Sequence, residues 1–158
     1  MTTNAFSTLP LTQAMLSNLD TLGYHEMTTI QAQSLPPVLE GRDLIAQAKT
    51  GSGKTAAFGI GILHKLNPAW FAVQGLVLCP TRELADQVAN ELRRLARGEG
   101  NIKVLTLTGG TAMRPQIASL EHGAHIVVGT PGRIRDHLGR GTINLAHVQT
   151  LVLDEADR

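Results

Sequence analysis

From about residue 43 onward, short apolar runs alternate with stretches of helical spacing, and this alternation most restricts the fold. The runs fall at residues 44–46, 76–79, 104–107, 126–128 and 151–153, several of them β-branched. Between them, positions such as Leu84, Val88, Leu92 and Leu95 recur on one helical face. Glycine and proline punctuate the junctions at Gly75, Pro80, Gly109, Gly110, Pro131, Gly132, Gly139 and Gly141. Strands apolar on both faces that alternate with helices call for an α/β fold, a parallel sheet with helices on both faces. Strand order does not follow from this pattern.

Residues 1–42 read differently. Leu11, Met15, Leu19 and Leu22 form a helical stripe that stops at Gly23. A second helix is expected from near Thr28 toward Gly41, with Pro36 and Pro37 disturbing its middle. No repeat, low-complexity tract or linker interrupts the 158 residues, so the expectation is one domain with a helical preface. With 42% apolar and 17% charged residues the chain is globular, and with only 3% aromatics its core must come from Leu, Ile, Val and Ala. A lone cysteine, Cys79, sits inside an apolar run and reads as packing. The start lacks a secretory pattern and no run approaches the ~20 apolar residues that span a bilayer, so a cytoplasmic protein without a membrane partner is expected. A net charge of +1 gives no overall field for nucleic acid, so any such partner must be held by specific sites.

The strongest local signal is Ala48 followed by Lys49, Thr50, Gly51, Ser52, Gly53, Lys54 and Thr55. It lies between an apolar run and the helix-like residues 56–66, the setting that a phosphate-binding loop needs. Small residues let backbone N–H groups converge on phosphate oxygens, and the helix N-terminus adds partial positive charge. Lys54 would reach the β- and γ-phosphates of a nucleotide and Thr55 would hold Mg²⁺. Ala48 stands where the common pattern has its first glycine.

Ninety-nine residues lie between Lys54 and Asp154, which opens the tetrapeptide Asp154, Glu155, Ala156, Asp157 directly after an apolar run. Ligand groups gather at the carboxyl ends of parallel strands, so the two motifs can meet at one edge. Asp154 is then placed for Mg²⁺ and Glu155 for orienting or deprotonating the attacking water. Alone, such a tetrapeptide reads as a solvated helix start; after a phosphate loop it reads as a metal and water site.

With that tetrapeptide the sequence resembles the DEAD-box ATP-dependent RNA helicases of superfamily 2. The motifs in order are Gly23 and Tyr24 through Ile30 and Gln31, the phosphate loop, Pro80-Thr81-Arg82-Glu83-Leu84-Ala85, Gly109-Gly110, Thr130-Pro131-Gly132-Arg133, and the acidic tetrapeptide. Residues 79–97 look most like one bacterial member of the family. The resemblance implies a RecA-like P-loop domain that binds ATP and Mg²⁺, grips single-stranded RNA by its backbone and unwinds short RNA duplexes. It gives adenine recognition to Gln31, whose amide both donates and accepts, and stacking to Tyr24, with Phe6 matching an isolated upstream aromatic. It gives the RNA backbone to Pro80, Thr81, Arg82, Gly109, Gly110, Thr130, Gly132 and Arg133. Met27, Thr28 and Thr29 stand where the family commonly has Pro-Thr-Pro, which loosens the turn before Gln31.

The resemblance further implies residues 1–42 as helices carrying the adenine motif, and residues 43–158 as a first RecA-like domain cut off after the strand of the acidic motif. A second RecA-like lobe would supply arginines to the transferring phosphoryl group. The complete enzyme is expected to be a monomer, acting on ribosomal RNA in ribosome assembly. The 158 residues alone are expected to be marginally stable and inactive, lacking a central strand of their own sheet. Two other functions fit the motifs less well: a DNA helicase or translocase on the same core, and an inactive nucleotide- or RNA-binding fragment. His122 and His125 lack partners at zinc-like spacing, the Arg93, Arg94 and Arg97 cluster suits a helix C-terminus, and Trp70 and Phe71 read as packing.

Overall fold

A computed structural model describes residues 4–44 and 53–154. Helix α1 (Gln13–Thr21) starts where the Thr12 side chain accepts the Met15 N–H. It ends at Gly23, whose φ of 89° lets Gly23 N–H reach Asp20 O and Tyr24 N–H reach Leu19 O. Helix α2 (Thr29–Leu39) opens with a capping box between Thr28 and Gln31. It runs unbroken through Pro36 and Pro37, contrary to the sequence expectation. Because the helix starts at Thr29 and stops at Leu39, both prolines fall in its last turn, where little helix remains to be disturbed.

After α2 the described chain alternates strand and helix. Helix α3 is Lys54–Lys65, strand β1 Gly75–Leu78, α4 Arg82–Leu95, β2 Val104–Leu107, α5 Met113–His122, β3 Ile126–Gly129, α6 Pro131–Arg140 and β4 Thr150–Leu153. The strands form one sheet in the order β2-β3-β1-β4, and every pair is parallel. Of the sequence-expected strands, the run at 44–46 lies outside the described residues apart from Leu44, which is exposed.

The sheet divides the apolar residues into two cores, as strands covered on both faces must. Val77, Ile126 and Val128 face a core shared with Leu19 of α1, Leu35 of α2, Ile60 of α3 and Leu92 of α4. Leu76, Val127 and Leu107 face the other, with Ile134 of α6 and Ile143. Leu19, Leu35, Ile60 and Leu92 are all 0% exposed, each contributing about 1.5–3 kcal/mol of burial. The N-terminal helices are therefore part of the main core. On β4, Val152 packs against the first core while Leu151 and Leu153 remain exposed.

Strand register sets the shape of the sheet's carboxyl edge. Leu78 lies opposite Gly129 and Leu153, and Leu107 lies opposite Gly129, so all four strands end level. Cys79, Thr108, Thr130 and Asp154 each come directly after a strand end. No helix among the described residues is long and apolar enough to cross a membrane.

Candidate nucleotide and nucleic-acid site

At the carboxyl edge of the sheet, β4 delivers Asp154 and α3 delivers Lys54. The Lys54 Nζ lies 2.9 Å from Asp154 Oδ1, with Asp154 almost wholly buried. Asp154 N–H also donates to Leu78 O at 2.9 Å, which holds the acidic residue against β1. Thr55, the second residue of α3, is half-buried beside Lys54. Lys49, Thr50, Gly51, Ser52 and Glu155 lie outside the described residues.

Gly53 caps α3 with φ at 88°, a backbone state that side chains other than glycine rarely adopt. A Cβ there would also collide with the Gln31 amide and come within 3.0 Å of Thr28 Oγ1. Gln31 is 1% exposed: its Oε1 accepts the Thr28 N–H at 2.9 Å and its Nε2 donates to Gly53 O at 3.1 Å. The preface is thus bonded directly to the start of the phosphate-loop helix. That use leaves one amide N–H and one oxygen lone pair unspent.

The two candidate stacking aromatics are placed against the body of the domain. Phe6 is buried in the first core. The Tyr24 hydroxyl donates to the Glu91 carboxylate of α4, which also pairs with Arg94. Burial first, then that hydrogen bond and the Glu91 charge, push the Tyr24 phenol up to about 12.

Three further segments succeed β1, β2 and β3 along the same edge. Pro80, Thr81 and Arg82 are exposed, and Thr81 caps α4 by accepting the Leu84 N–H at 3.2 Å. Gly109 and Gly110 make an exposed turn, and a Cβ on Gly110 would sit 3.7 Å from an Arg82 guanidinium nitrogen. Thr130 precedes α6, its N–H bonded to Leu107 O at 3.1 Å, with Pro131 as the first helical residue. Around Gly109 and Gly132 no atom lies within 4 Å of a built Cβ, and neither has positive φ. The fold itself therefore does not require glycine at either position. Bare, accessible backbone is what a phosphodiester chain needs for close approach.

Arg133 is turned inward. Its Nη1 donates to Thr111 O at 3.1 Å and Gln116 Oε1 at 3.3 Å, and its side chain is only 13% exposed. Its Nε is buried without a hydrogen bond, 3.7 Å from Asp136 Oδ2. Behind Arg133, His137 Nε2 lies 2.8 Å from Gln116 Oε1 and Nδ1 lies 2.7 Å from Thr142 Oγ1. Burial, then the Arg133 charge, hold His137 below the usual imidazole range. Neither Gln116 nor His137 is legible as a site residue in the sequence, because nothing in their neighbourhood distinguishes them from other polar helix positions.

The opposite edge has a different character. A concavity of about 350 Å³ there is lined by Trp70, Leu120, Gly123, Thr142 and His147 among others, and holds none of the candidate residues. Trp70 and Phe71 are 41% and 48% exposed rather than packed inside, each meeting a histidine ring at a tilt, His147 and His125. His125 is itself buried, accepting the Lys103 N–H and bonded to Pro68 O.

Comparison with known proteins adds kinship to this geometry. The DEAD/DEAH box helicase family model matches residues 28–158. The chain is 59% identical over 155 residues to the ATP-dependent RNA helicase DbpA of Escherichia coli, covering 98% of this chain and 34% of that protein. It is 49% identical over 152 residues to the DEAD-box ATP-dependent RNA helicase CshA of Geobacillus kaustophilus, covering 96% and 32%. The crystal structure of a DEAD box protein from Methanococcus jannaschii superposes with a TM-score of 0.92 at 44% identity, over 98% of this chain and 42% of that one. The chain spans about a third of the length of the curated relatives it matches.

Proposed function

The chain belongs to the DEAD/DEAH box helicase family, and from that premise we propose that it is the ATP- and RNA-holding lobe of an ATP-dependent RNA helicase. The observation that carries this reading is the 2.9 Å contact between Lys54 and Asp154. It brings a phosphate-binding cation and a metal-binding carboxylate to one strand edge, although ninety-nine residues lie between them in the chain.

The residues present suit ATP with Mg²⁺. Thr55 and Asp154 offer hard oxygen ligands of the kind that ion takes, and Gly53 gives the loop its left-handed turn into α3. Bound Mg²⁺ supplies neutralisation of charge on phosphate oxygens. Lys54 binds the β- and γ-phosphates, with Lys49, Thr50, Gly51 and Ser52 completing the loop, and Glu155 orients the attacking water and takes its proton. The remaining N–H and lone pair of the Gln31 amide match an adenine edge that both donates and accepts. Phe6 and Tyr24 support this motif by packing it on the core.

On the RNA side, Pro80, Thr81, Arg82, Gly109, Gly110, Thr130 and Gly132 present backbone, hydroxyl and charge to phosphates, with Arg133 bracing them from behind. Such contacts carry no base sequence. The complete protein, with a second RecA-like lobe, hydrolyses ATP when RNA closes the lobes, and unwinds short duplexes locally. It acts as a cytoplasmic monomer, and the reading extends to ribosomal RNA and ribosome assembly.

The test is phosphate release by the full-length protein with single-stranded RNA or DNA of the same sequence. Strong stimulation by RNA and little by DNA is expected, with Glu155→Gln retaining ATP and RNA but not turning over. Equal stimulation by both would favour a DNA translocase, and none by either would remove the helicase reading.

A further inference from the structure

Gln116 of α5 is 8% exposed and uses the full hydrogen-bonding capacity of its amide. Its Nε2 donates to Thr108 O at 3.1 Å and to Thr111 Oγ1 at 2.9 Å. Its Oε1 accepts from Arg133 Nη1 at 3.3 Å and faces His137 Nε2 at 2.8 Å. The Thr108 carbonyl can only accept, so the nitrogen end must point at it and the oxygen end at α6. This fixes Nε2 of His137 as a donor, while Nδ1 lies 2.7 Å from Thr142 Oγ1, a hydroxyl that is also 3.2 Å from the His137 carbonyl. The lowered proton affinity of His137 favours the neutral ring.

Thr108 and Thr111 bracket Gly109 and Gly110, while Arg133 and His137 belong to the helix that begins after Thr130. One side chain therefore bonds the turn after β2 to the helix after β3. These are two of the three segments assigned to RNA phosphates. We propose that Gln116 is a positioning residue for RNA: it sets the spacing of the Gly109-Gly110 turn and the α6 N-terminus so that both meet consecutive phosphates of one strand. It touches no RNA and acts through Thr108, Thr111, Arg133 and His137. The two closest replacements in shape do not fit the same place. Glutamate would aim a second acceptor at the Thr108 carbonyl, and leucine would leave the groups on both sides unpaired.

The inference rests on the RNA reading of these segments, so the experiment must separate the two. In the full-length protein, Gln116→Leu and Gln116→Glu are compared with the parent for RNA-stimulated ATP hydrolysis. Each variant is assayed well below its own melting midpoint. The concentration of RNA giving half-maximal stimulation should rise about tenfold for Gln116→Leu and less for Gln116→Glu, which keeps its acceptors toward α6. The KM for ATP should stay within about twofold. The slope of log affinity for single-stranded RNA against log salt should fall by about 0.7 for each phosphate the variant no longer engages. Gln116→Leu combined with Gly132→Ala should cost less than the sum of the two, because both act on the same contact. Parental RNA half-saturation and salt slope in both variants would overturn the positioning role while leaving the RNA reading intact. A raised ATP KM with unchanged RNA dependence would overturn it too, by assigning Gln116 to the fold at large. If RNA fails to stimulate even the parent, the functional reading falls and takes the inference with it.

Discussion

On the proposed reading, the nucleotide half and the RNA half of the sheet edge hold phosphate by different means. The nucleotide half uses charge: Lys54, partly exposed, meets the buried Asp154 at 2.9 Å. The RNA half keeps one arginine, Arg82, outside and folds another, Arg133, back into the protein. What it offers is open backbone at Gly109 and Gly132, with the Gly109-Gly110 turn tied to Gln116 through Thr108. A triphosphate must be gripped at fixed atoms for chemistry, whereas a strand must be held without reading its bases and then let go. Fixed charge suits the first task, and levelled backbone dipoles suit the second.

The contrast can be broken or sharpened by substitution. The largest effect is expected from Lys54→Ala in the full-length protein, which should lower RNA-stimulated ATP hydrolysis by on the order of 10²–10³-fold. Retained turnover in that variant would place the charge of the nucleotide half elsewhere. Gln31→Ala comes next. Losing bonds to Thr28 N–H and Gly53 O should cost about 1–3 kcal/mol of stability by denaturant melt. It should also blur ATP against GTP in competition assays, and an unchanged preference would remove Gln31 from the base site.

On the RNA side, Gly132→Ala should weaken RNA binding by roughly tenfold while stability holds or rises by about 0.4–1 kcal/mol. That opposition of signs is the sharpest test of the contrast, since a glycine kept for folding would lose stability on replacement. The smallest effect concerns the link from the preface to α4. Tyr24 is held protonated by the fold, so its stabilisation is complete below its ordinary value of 10.0 and fades as pH rises toward about 12. Tyr24→Phe should remove that loss between pH 10 and 12, in thermal melts followed by circular dichroism. Parallel pH profiles for parent and variant would show the Glu91 bond to be inconsequential.

The sequence shows the sheet well because parallel strands buried on both faces leave continuous apolar runs. The runs at 76–79, 104–107, 126–128 and 151–153 each match a strand to within a residue. Lys54 and Asp154 are legible because loop chemistry and strand-end placement both constrain them. Features that depend on neighbours distant in sequence are not. Pro36 and Pro37 read as a mid-helix disturbance because their cost depends on where α2 stops, which Gly41 and the carbonyls of Pro37 and Val38 decide. Nothing in the sequence near Arg133 shows that Gln116 of α5, and Thr111 in the turn before it, draw it inward. Trp70 and Phe71 read as packing, but they stay 41% and 48% exposed, each meeting one histidine ring at a tilt.

The level ends of the four strands make the sheet a ruler. Neighbouring strands stand about 4.8 Å apart, and one residue of slip along a strand moves its end by about 3.3 Å and turns every side chain to the opposite face. The apolar residues that forbid such slip are Val77, Val127 and Val128, each sealed in one core or the other. Those valines lie outside the candidate site, yet they keep Asp154 level with Cys79, Thr130 and Thr108. A change in their shape can misalign chemistry before it unfolds anything.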